Sequence, residues 1–110
     1  MIPPPELSVI ILSRNQREAV LRCVRSVLAE MSPSPGGWEL LVVDSASTDG
    51  TREALAGLPV RWVALEESPL LCASLGRWAG TGCSSGAYIL FLDGDMELSK
   101  GFLPAAVDLL

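Results

Sequence analysis

Near the end of the chain an apolar run, Ala87-Tyr88-Ile89-Leu90-Phe91-Leu92, stops abruptly at Asp93-Gly94-Asp95. Two carboxylates one residue apart at the end of a buried strand are costly, because each loses water and repels the other. A bound cation is the usual compensation. Glycine between them permits a sharp bend and leaves room for a ligand beside the main chain. A hard divalent ion such as Mg²⁺ takes a few carboxylate oxygens and fills its remaining positions with water and phosphate oxygens. The pattern reads as a metal–diphosphate site. It equally fits a polar turn after a strand, since Asp-Gly is a common turn dipeptide.

The elements that must position these carboxylates alternate along the chain. Leu7 to Leu12 (LSVIIL), Glu39 to Val43 (ELLVV), Arg61 to Leu65 (RWVAL) and Ala87 to Leu92 are apolar runs short enough to be buried strands. Between the first two, Val20, Val24, Val27, Leu28 and Met31 recur at helical spacing, opposite Arg17, Glu18, Arg22 and Arg25, with Asn15 as the expected N-cap. Ser32 to Gly37 (SPSPGG) reads as a surface loop. The hydroxyls and Asp49 of "SASTDGT" cap a short helix that ends near Gly57. Ser68-Pro69 reads as an N-cap and first helical position, opening a helix to about Ala79. A last helix begins near Ser99, with Pro104 in or near its first turn.

Strands that alternate with helices and are apolar throughout imply a mostly parallel, Rossmann-like α/β sheet covered on both faces. Such sheets bind ligands beyond the carboxyl ends of their strands, where strand order reverses. The polar residues fall there: Ser13-Arg14-Asn15 after the first strand, Asp44 after the second, Asp93 and Asp95 after the fourth. That coincidence favours a binding site over a plain turn.

Composition removes other classes. At 110 residues the chain fits one domain, with residues 1–6 as an arm and 7–110 as the folded unit. A formal net charge of −5 argues against nucleic acid, which normally requires a basic face. Histidine is absent, so the commonest general base and zinc ligand are missing. Cys23, Cys72 and Cys83 are odd in number and widely spaced, and read as small apolar residues in a reducing cytosol. The start "MIPPPELSV" lacks the features of a signal peptide, and no run reaches membrane-spanning length. Trp38, Trp62 and Trp78 read as core or edge packing, Glu66-Glu67 as a solvated turn and Glu97 as surface. Because Leu109-Leu110 closes the sequence inside an apolar helix, a longer parent is expected. The parent is expected to be cytoplasmic, with any membrane association carried by the missing C-terminal part.

In this order and spacing, "LSVIILSRN", "WELLVVDSASTDGT" and "GAYILFLDGDMEL" resemble the nucleotide-binding half of family 2 glycosyltransferases with the GT-A fold. The resemblance runs from Leu7 to about Leu110. It implies strand order 3-2-1-4 and a nucleoside diphosphate sugar, most commonly a UDP-sugar, lying across the ends of the first and fourth strands. Leu12, Ser13 and Asn15 would contact that donor from the first strand's end. Asp44 matches the acid beside base and ribose, with Ser45 where many members carry a second Asp. Asp93-Gly94-Asp95 matches the family's "DxD": Asp95 would hold Mg²⁺ or Mn²⁺ and Asp93 would contact ribose or a metal-bound water. Arg77 would lie near the diphosphate. Arg14 stands at a frequent tyrosine position, and Trp78 replaces an Asn.

By this resemblance the chain is the donor half of an inverting, metal-dependent glycosyltransferase. The catalytic base is expected downstream of the "DxD", and the acceptor is not specified. A chain without that part is expected to transfer no sugar and to self-associate through its open sheet edge and apolar helix face. Rivals fare worse. A sugar-nucleotide pyrophosphorylase has a glycine-rich basic loop where this chain reads "SRNQRE", and a receiver-like module needs acids where Ser13 and Arg14 stand. A degenerate, partner-binding glycosyltransferase domain is the alternative function.

Overall fold

A computed structural model describes residues 6–31 and 37–109. Most of the predicted arm and of the Ser32–Gly37 loop lies outside them. Four strands, β1 (Leu7–Ser13), β2 (Trp38–Ser45), β3 (Arg61–Leu65) and β4 (Tyr88–Asp93), alternate with helices α1 (Arg17–Met31), α2 (Thr51–Ala54), α3 (Ala73–Cys83) and α4 (Phe102–Asp108). The strands form one all-parallel sheet in the order β3-β2-β1-β4. That is the order and class expected. β1, β2 and β4 each end one or two residues beyond the apolar run, so Ser13, Asp44, Ser45 and Asp93 are themselves strand residues.

Side chains alternate across the sheet, and the two faces are filled unequally. Leu7, Val9 and Ile11 of β1, with Leu40, Val42 and Leu92, meet Val20, Cys23, Val24 and Val27 of α1 and Leu103 of α4. Of apolar side chains, the opposite face fully buries only Ile10, Leu41 and Val43, beneath α3. α3 lies close because Gly76 and Gly80 face the sheet. A Cβ on Gly80 would stand 2.7 Å from Ile10 Cγ2, and one on Gly76 3.1 Å from Leu12 Cδ2. Coverage of both faces is therefore incomplete: β3 and β4 are mixed in burial, and Phe91 and Tyr88 of β4 are exposed. Trp38 and Trp62 pack against the larger core as expected, whereas Trp78 is 76% exposed on α3. Cys23 is buried, but Cys72 and Cys83 are exposed, contrary to the expected apolar role.

Two helix starts differ from expectation for the same reason, long-range contacts. Asn15 is not the N-cap of α1. It adopts a left-handed φ of 49°, and its Oδ1 accepts from Thr48 N at 2.7 Å. The first amide of α1, Arg17 N, is instead satisfied by Asp49 Oδ2 at 3.0 Å, 32 positions away. Asp49 also accepts from the Thr51 hydroxyl and amide at the start of α2. The Thr51 hydroxyl does most to hold its carboxyl below the ordinary value; burial opposes this, and the Arg17 and Thr51 amides add to it. α3 starts at Ala73, later than Ser68-Pro69, which form a turn closed by Leu71 N to Ser68 O at 3.1 Å. The helix takes the register that lays Gly76 and Gly80 on the sheet. Asp49 does serve α2 as expected, behind Gly50, whose φ of 82° suits glycine.

Candidate functional site

A cleft of about 310 Å³ opens at the carboxyl ends of β1 and β4, beside the start of α3. The register places Leu12 beside Asp93 and Ser13 beside Asp44, so the three strands deliver their last polar residues to one edge. Leu12, Ser13, Ser45, Asp93 and Asp95 line the cleft, as the sequence implied. Arg14, Gln16, Leu71, Cys72, Ala73 and Gly76 join them. Arg14 was expected at this edge, at the family's frequent tyrosine position, but the other five carried no expected site role. Gly76 and Gly80, four residues apart, were the available signal for a helix pressed against the site.

Ser13 belongs to the lining, but the alternation of β1 turns its side chain to the α1 face with Leu7, Val9 and Ile11. The residue is 4% exposed and its Oγ has no hydrogen-bond partner among the described residues. Burying a hydroxyl without a partner is costly, and natural structures rarely tolerate it without cause.

The carboxylates behave differently from the expectation of a desolvated pair. Asp93 and Asp95 are both exposed, at the rim of the cleft, and neither enters an ion pair among the described residues. Their compensation is water. Gly94 between them is buried, and the space its missing side chain leaves is used by the protein itself, not kept for a ligand. A Cβ there would stand 2.9 Å from both Leu12 O and Gln16 Oε1. The turn is held from below by α1: Leu98 N donates to Ser26 Oγ at 3.0 Å, and exposed Glu97 pairs with Arg22 Nε at 3.2 Å. Cys23 Sγ lies 3.8 Å from Asp93 O. Burial, then the charges of Asp95, Glu97 and Asp93, push its thiol up to about 12. No group of three or more Cys, Asp or Glu side chains that could hold a metal occurs among the described residues. Two rim carboxylates are what the protein offers.

Other predicted residues fall elsewhere. Asp44 reaches the same sheet edge but is 3% exposed and accepts from the Ser47 amide at 2.9 Å and the Ser47 hydroxyl. It lines a separate recess of about 230 Å³ with Arg52 and Trp62, whose guanidinium carbon and ring centroid are 6.0 Å apart. Asn15 ties the loop after β1 to the loop after β2 and is absent from the cleft lining. Arg77 is exposed on α3, one position after Gly76, and also outside the lining.

A sheet of this order with a cleft at this edge can be compared with known proteins. The family model described as glycosyl transferase family 2 matches residues 8–110. The chain belongs to that family. Among its curated relatives, the glycosyltransferase AglE of Haloferax volcanii is 34% identical over 106 residues, covering 94% of this chain and 34% of AglE. The putative teichuronic acid biosynthesis glycosyltransferase TuaG of Bacillus subtilis is 36% identical over 101 residues, covering 87% of this chain and 38% of TuaG. The family 2 chain thus spans about a third of the length of the curated relatives it matches. In structure it is similar to S. aureus TarS in complex with UDP-GlcNAc, with TM-score 0.79 and 24% identity over 94% of this chain and 30% of that one. It is also similar to the mannosyltransferase PcManGT of Pyrobaculum calidifontis, in complex with GDP-Man and Mn²⁺. There the TM-score is 0.78 and identity 22%, covering 96% of this chain and 32% of that one. At these identities the likeness is one of fold, the GT-A type. No helix among the described residues is long and apolar enough to cross a membrane.

Proposed function

We propose that this chain forms the donor-binding part of an inverting glycosyltransferase that takes a sugar from a nucleoside diphosphate sugar and passes it to an acceptor hydroxyl. The observation that carries the reading is the cleft itself: a recess at the carboxyl ends of β1 and β4, lined by Ser13 and Ser45, with the Asp93 and Asp95 carboxylates at its rim. Similar folds with UDP-GlcNAc or GDP-Man bound support a nucleotide-sugar partner.

A divalent cation fits this donor set. Mg²⁺ or Mn²⁺ needs only one or two protein carboxylates when water and phosphate oxygens complete its shell, and exposed acids leave that water in place. Asp95 is its principal ligand in this reading, and Asp93 contacts it or the ribose. When bound, the cation neutralises charge that builds on the departing diphosphate. The protein's own residues hold the donor. Ser13 borders the donor at the end of β1, Ser45 adds a hydroxyl, and Leu12 gives an apolar wall. Gly94 keeps the carboxylate turn seated on Leu12 O. Asp44 acts at the base and ribose end by holding the turn through Ser47, and Asn15 by holding Thr48. Arg77 reaches the diphosphate by a side-chain rotation from α3. Attack on the anomeric carbon requires a carboxylate that takes the acceptor's proton on the opposite face, and this reading assigns it to no residue of the chain.

Calorimetry with UDP and with GDP, each with Mn²⁺ and with chelator, tests the assignment. Binding with Mn²⁺ that weakens about 10-fold or more in chelator is expected, a loss of ~1.4 kcal/mol. Absence of binding by both nucleotides overturns it.

A further inference from the structure

Gln16 lines the cleft with Asp93 and Asp95, and its backbone is pinned on both sides. The residue before it donates from Asn15 N to Ser47 Oγ at 2.8 Å, and the residue after it from Arg17 N to Asp49 Oδ2 at 3.0 Å. Its own carbonyl accepts from Val20 N at 2.7 Å, opening the hydrogen-bond ladder of α1. The half-buried side chain therefore starts from a fixed origin, and it ends on the carboxylate turn. Gln16 Oε1 lies 2.9 Å from where a Cβ on Gly94 would stand, with Leu12 O at the same distance and Val20 Cβ at 3.6 Å. The middle residue of Asp93-Gly94-Asp95 is clamped between the end of β1 and the start of α1.

Charge is what this side chain withholds. Asp93 and Asp95 are the acids of the lining, and Arg14, its one basic residue, is engaged by exposed Glu67 from outside it, Nη2 to Oε2 at 3.1 Å. Two carboxylates balance one divalent cation. A third, wedged onto the turn between them, would strengthen the hold on a cation and repel a diphosphate. No group of three or more such ligands occurs among the described residues. We propose that Gln16 is a positioning residue for the cation. It fixes the carboxylate turn through Gly94, and by staying neutral it makes tight cation binding depend on the diphosphate. This rests on the donor-binding reading above.

The dependence is a linkage between two ligands. Two exposed carboxylates keep their water and offer Mn²⁺ alone a weak site. A diphosphate adds phosphate oxygens and further negative charge, so each ligand raises the affinity of the other by the same factor. Replacing the carboxamide by a carboxylate of nearly the same volume keeps the packing on Gly94 and changes the charge. Such a change strengthens the cation alone and, by like-charge repulsion, weakens the diphosphate. Opposite effects on the two ligands are a result that a purely structural role for Gln16 does not give.

Mn²⁺ titrations followed by the paramagnetic resonance of the free ion test this in wild type, Gln16→Glu and Gln16→Ala, each alone and with UDP or GDP. Wild type is expected to bind Mn²⁺ about 10-fold or more tightly with nucleotide than without. Gln16→Glu should bind Mn²⁺ alone about 10-fold more tightly than wild type and bring the two conditions within a few-fold of each other. Gln16→Ala keeps the charge and loosens the turn, so Mn²⁺ should weaken by about 3–10-fold in both conditions with their ratio preserved. Melting curves close to that of wild type are expected for both variants, which separates a change in affinity from unfolding. Gln16→Glu with the Mn²⁺ affinity and the coupling of wild type overturns the role of Gln16 alone. So does a wild type that binds nucleotide yet holds Mn²⁺ equally with and without it. Failure of wild type to bind either nucleotide overturns the donor reading, and this proposal with it.

Discussion

The two ends of this sheet carry similar residues and treat them in opposite ways. At the amino end, Ser8, Glu39, Arg61, Ser85 and Gly86 form a closed network. Ser8 Oγ donates to Glu39 Oε2 and accepts from Gly86 N at 2.8 Å. Ser85 N donates to Glu39 Oε2 at 2.6 Å, and Arg61 Nη1 donates to Glu39 Oε1 at 3.1 Å and Cys83 O at 2.8 Å. At the carboxyl end Ser13 is also buried, yet its hydroxyl has no partner among the described residues, and Asp93 and Asp95 are exposed. A serine and its acids can close a fold or leave it open to a ligand. What decides is whether the protein supplies the partners.

The largest effect should come from breaking the closed end. Glu39→Ala strips acceptors from the Ser8 hydroxyl, the Ser85 amide and the Arg61 guanidinium at once. Of these donors only Ser8 is buried, and leaving a buried donor unsatisfied costs ~1–3 kcal/mol. We expect a loss in that range, and a melting temperature lower by ~4–8 °C for each kcal/mol in a domain of this size. Nucleotide affinity of the folded fraction should stay unchanged. Chemical denaturation beside a binding titration checks both; a loss of affinity with unaltered stability would reverse the roles assigned to the two ends.

The contrasting variant is Asp95→Asn. It removes a rim charge that no partner depends on, so melting should hardly move. Metal-dependent nucleotide binding should fall by about 10-fold or more, as for any loss of ~1.4 kcal/mol of binding energy. Equal affinity in wild type and variant would show that Asp95 is a turn residue.

How much of this contrast was legible in the sequence differs between its parts. β1, β2 and β3 read correctly because short β-branched runs between turn residues have few alternatives. The carboxyl edge was legible too, since polar residues closing apolar strands of a parallel sheet share one side. What failed depended on partners distant in sequence. Asn15 looks like an N-cap locally, but Asp49 takes that role from the next loop. Ser68-Pro69 has the local chemistry of a helix start, but the close approach of Gly76 and Gly80 to Ile10 and Leu12 places α3 later. The exposure of Asp93 and Phe91 depends on what covers β4, which its own apolar run does not encode. Glu66-Glu67 was read as a solvated turn, and Arg14, 53 positions away from Glu67, gave no local hint of the pair.

Acid should separate the ends without a mutation. Burial raises the Glu39 carboxyl, but hydrogen bonds from Ser8, Ser85 and Arg61 outweigh it and hold the group below its ordinary value of 4.5. A carboxyl depressed in the folded state contributes stability that is present above its unfolded value and lost as pH falls through the folded one. Stability should therefore decline as pH drops below about 4.5, with a slope that Glu39→Gln reduces. Urea midpoints measured across this range check the sign. A slope unchanged in Glu39→Gln would mean that other carboxyls govern the acid response.

The smallest effect is the most discriminating, because its sign differs between the ends. Ser8→Ala removes the acceptor of Gly86 N and a donor to Glu39, so it should destabilise by ~1–3 kcal/mol. Ser13→Ala removes a buried hydroxyl without a hydrogen-bond partner among the described residues. The unbound protein pays for burying that oxygen, so its deletion should stabilise by up to ~1 kcal/mol. If the hydroxyl turns to the proposed nucleotide when it binds, affinity should drop by about 3–10-fold, a neutral hydrogen bond's worth. Stability rising while affinity falls is the signature of a group kept for its ligand. If Ser13→Ala instead melts lower and binds as before, the hydroxyl belongs to the fold, and the two ends of the sheet are alike after all.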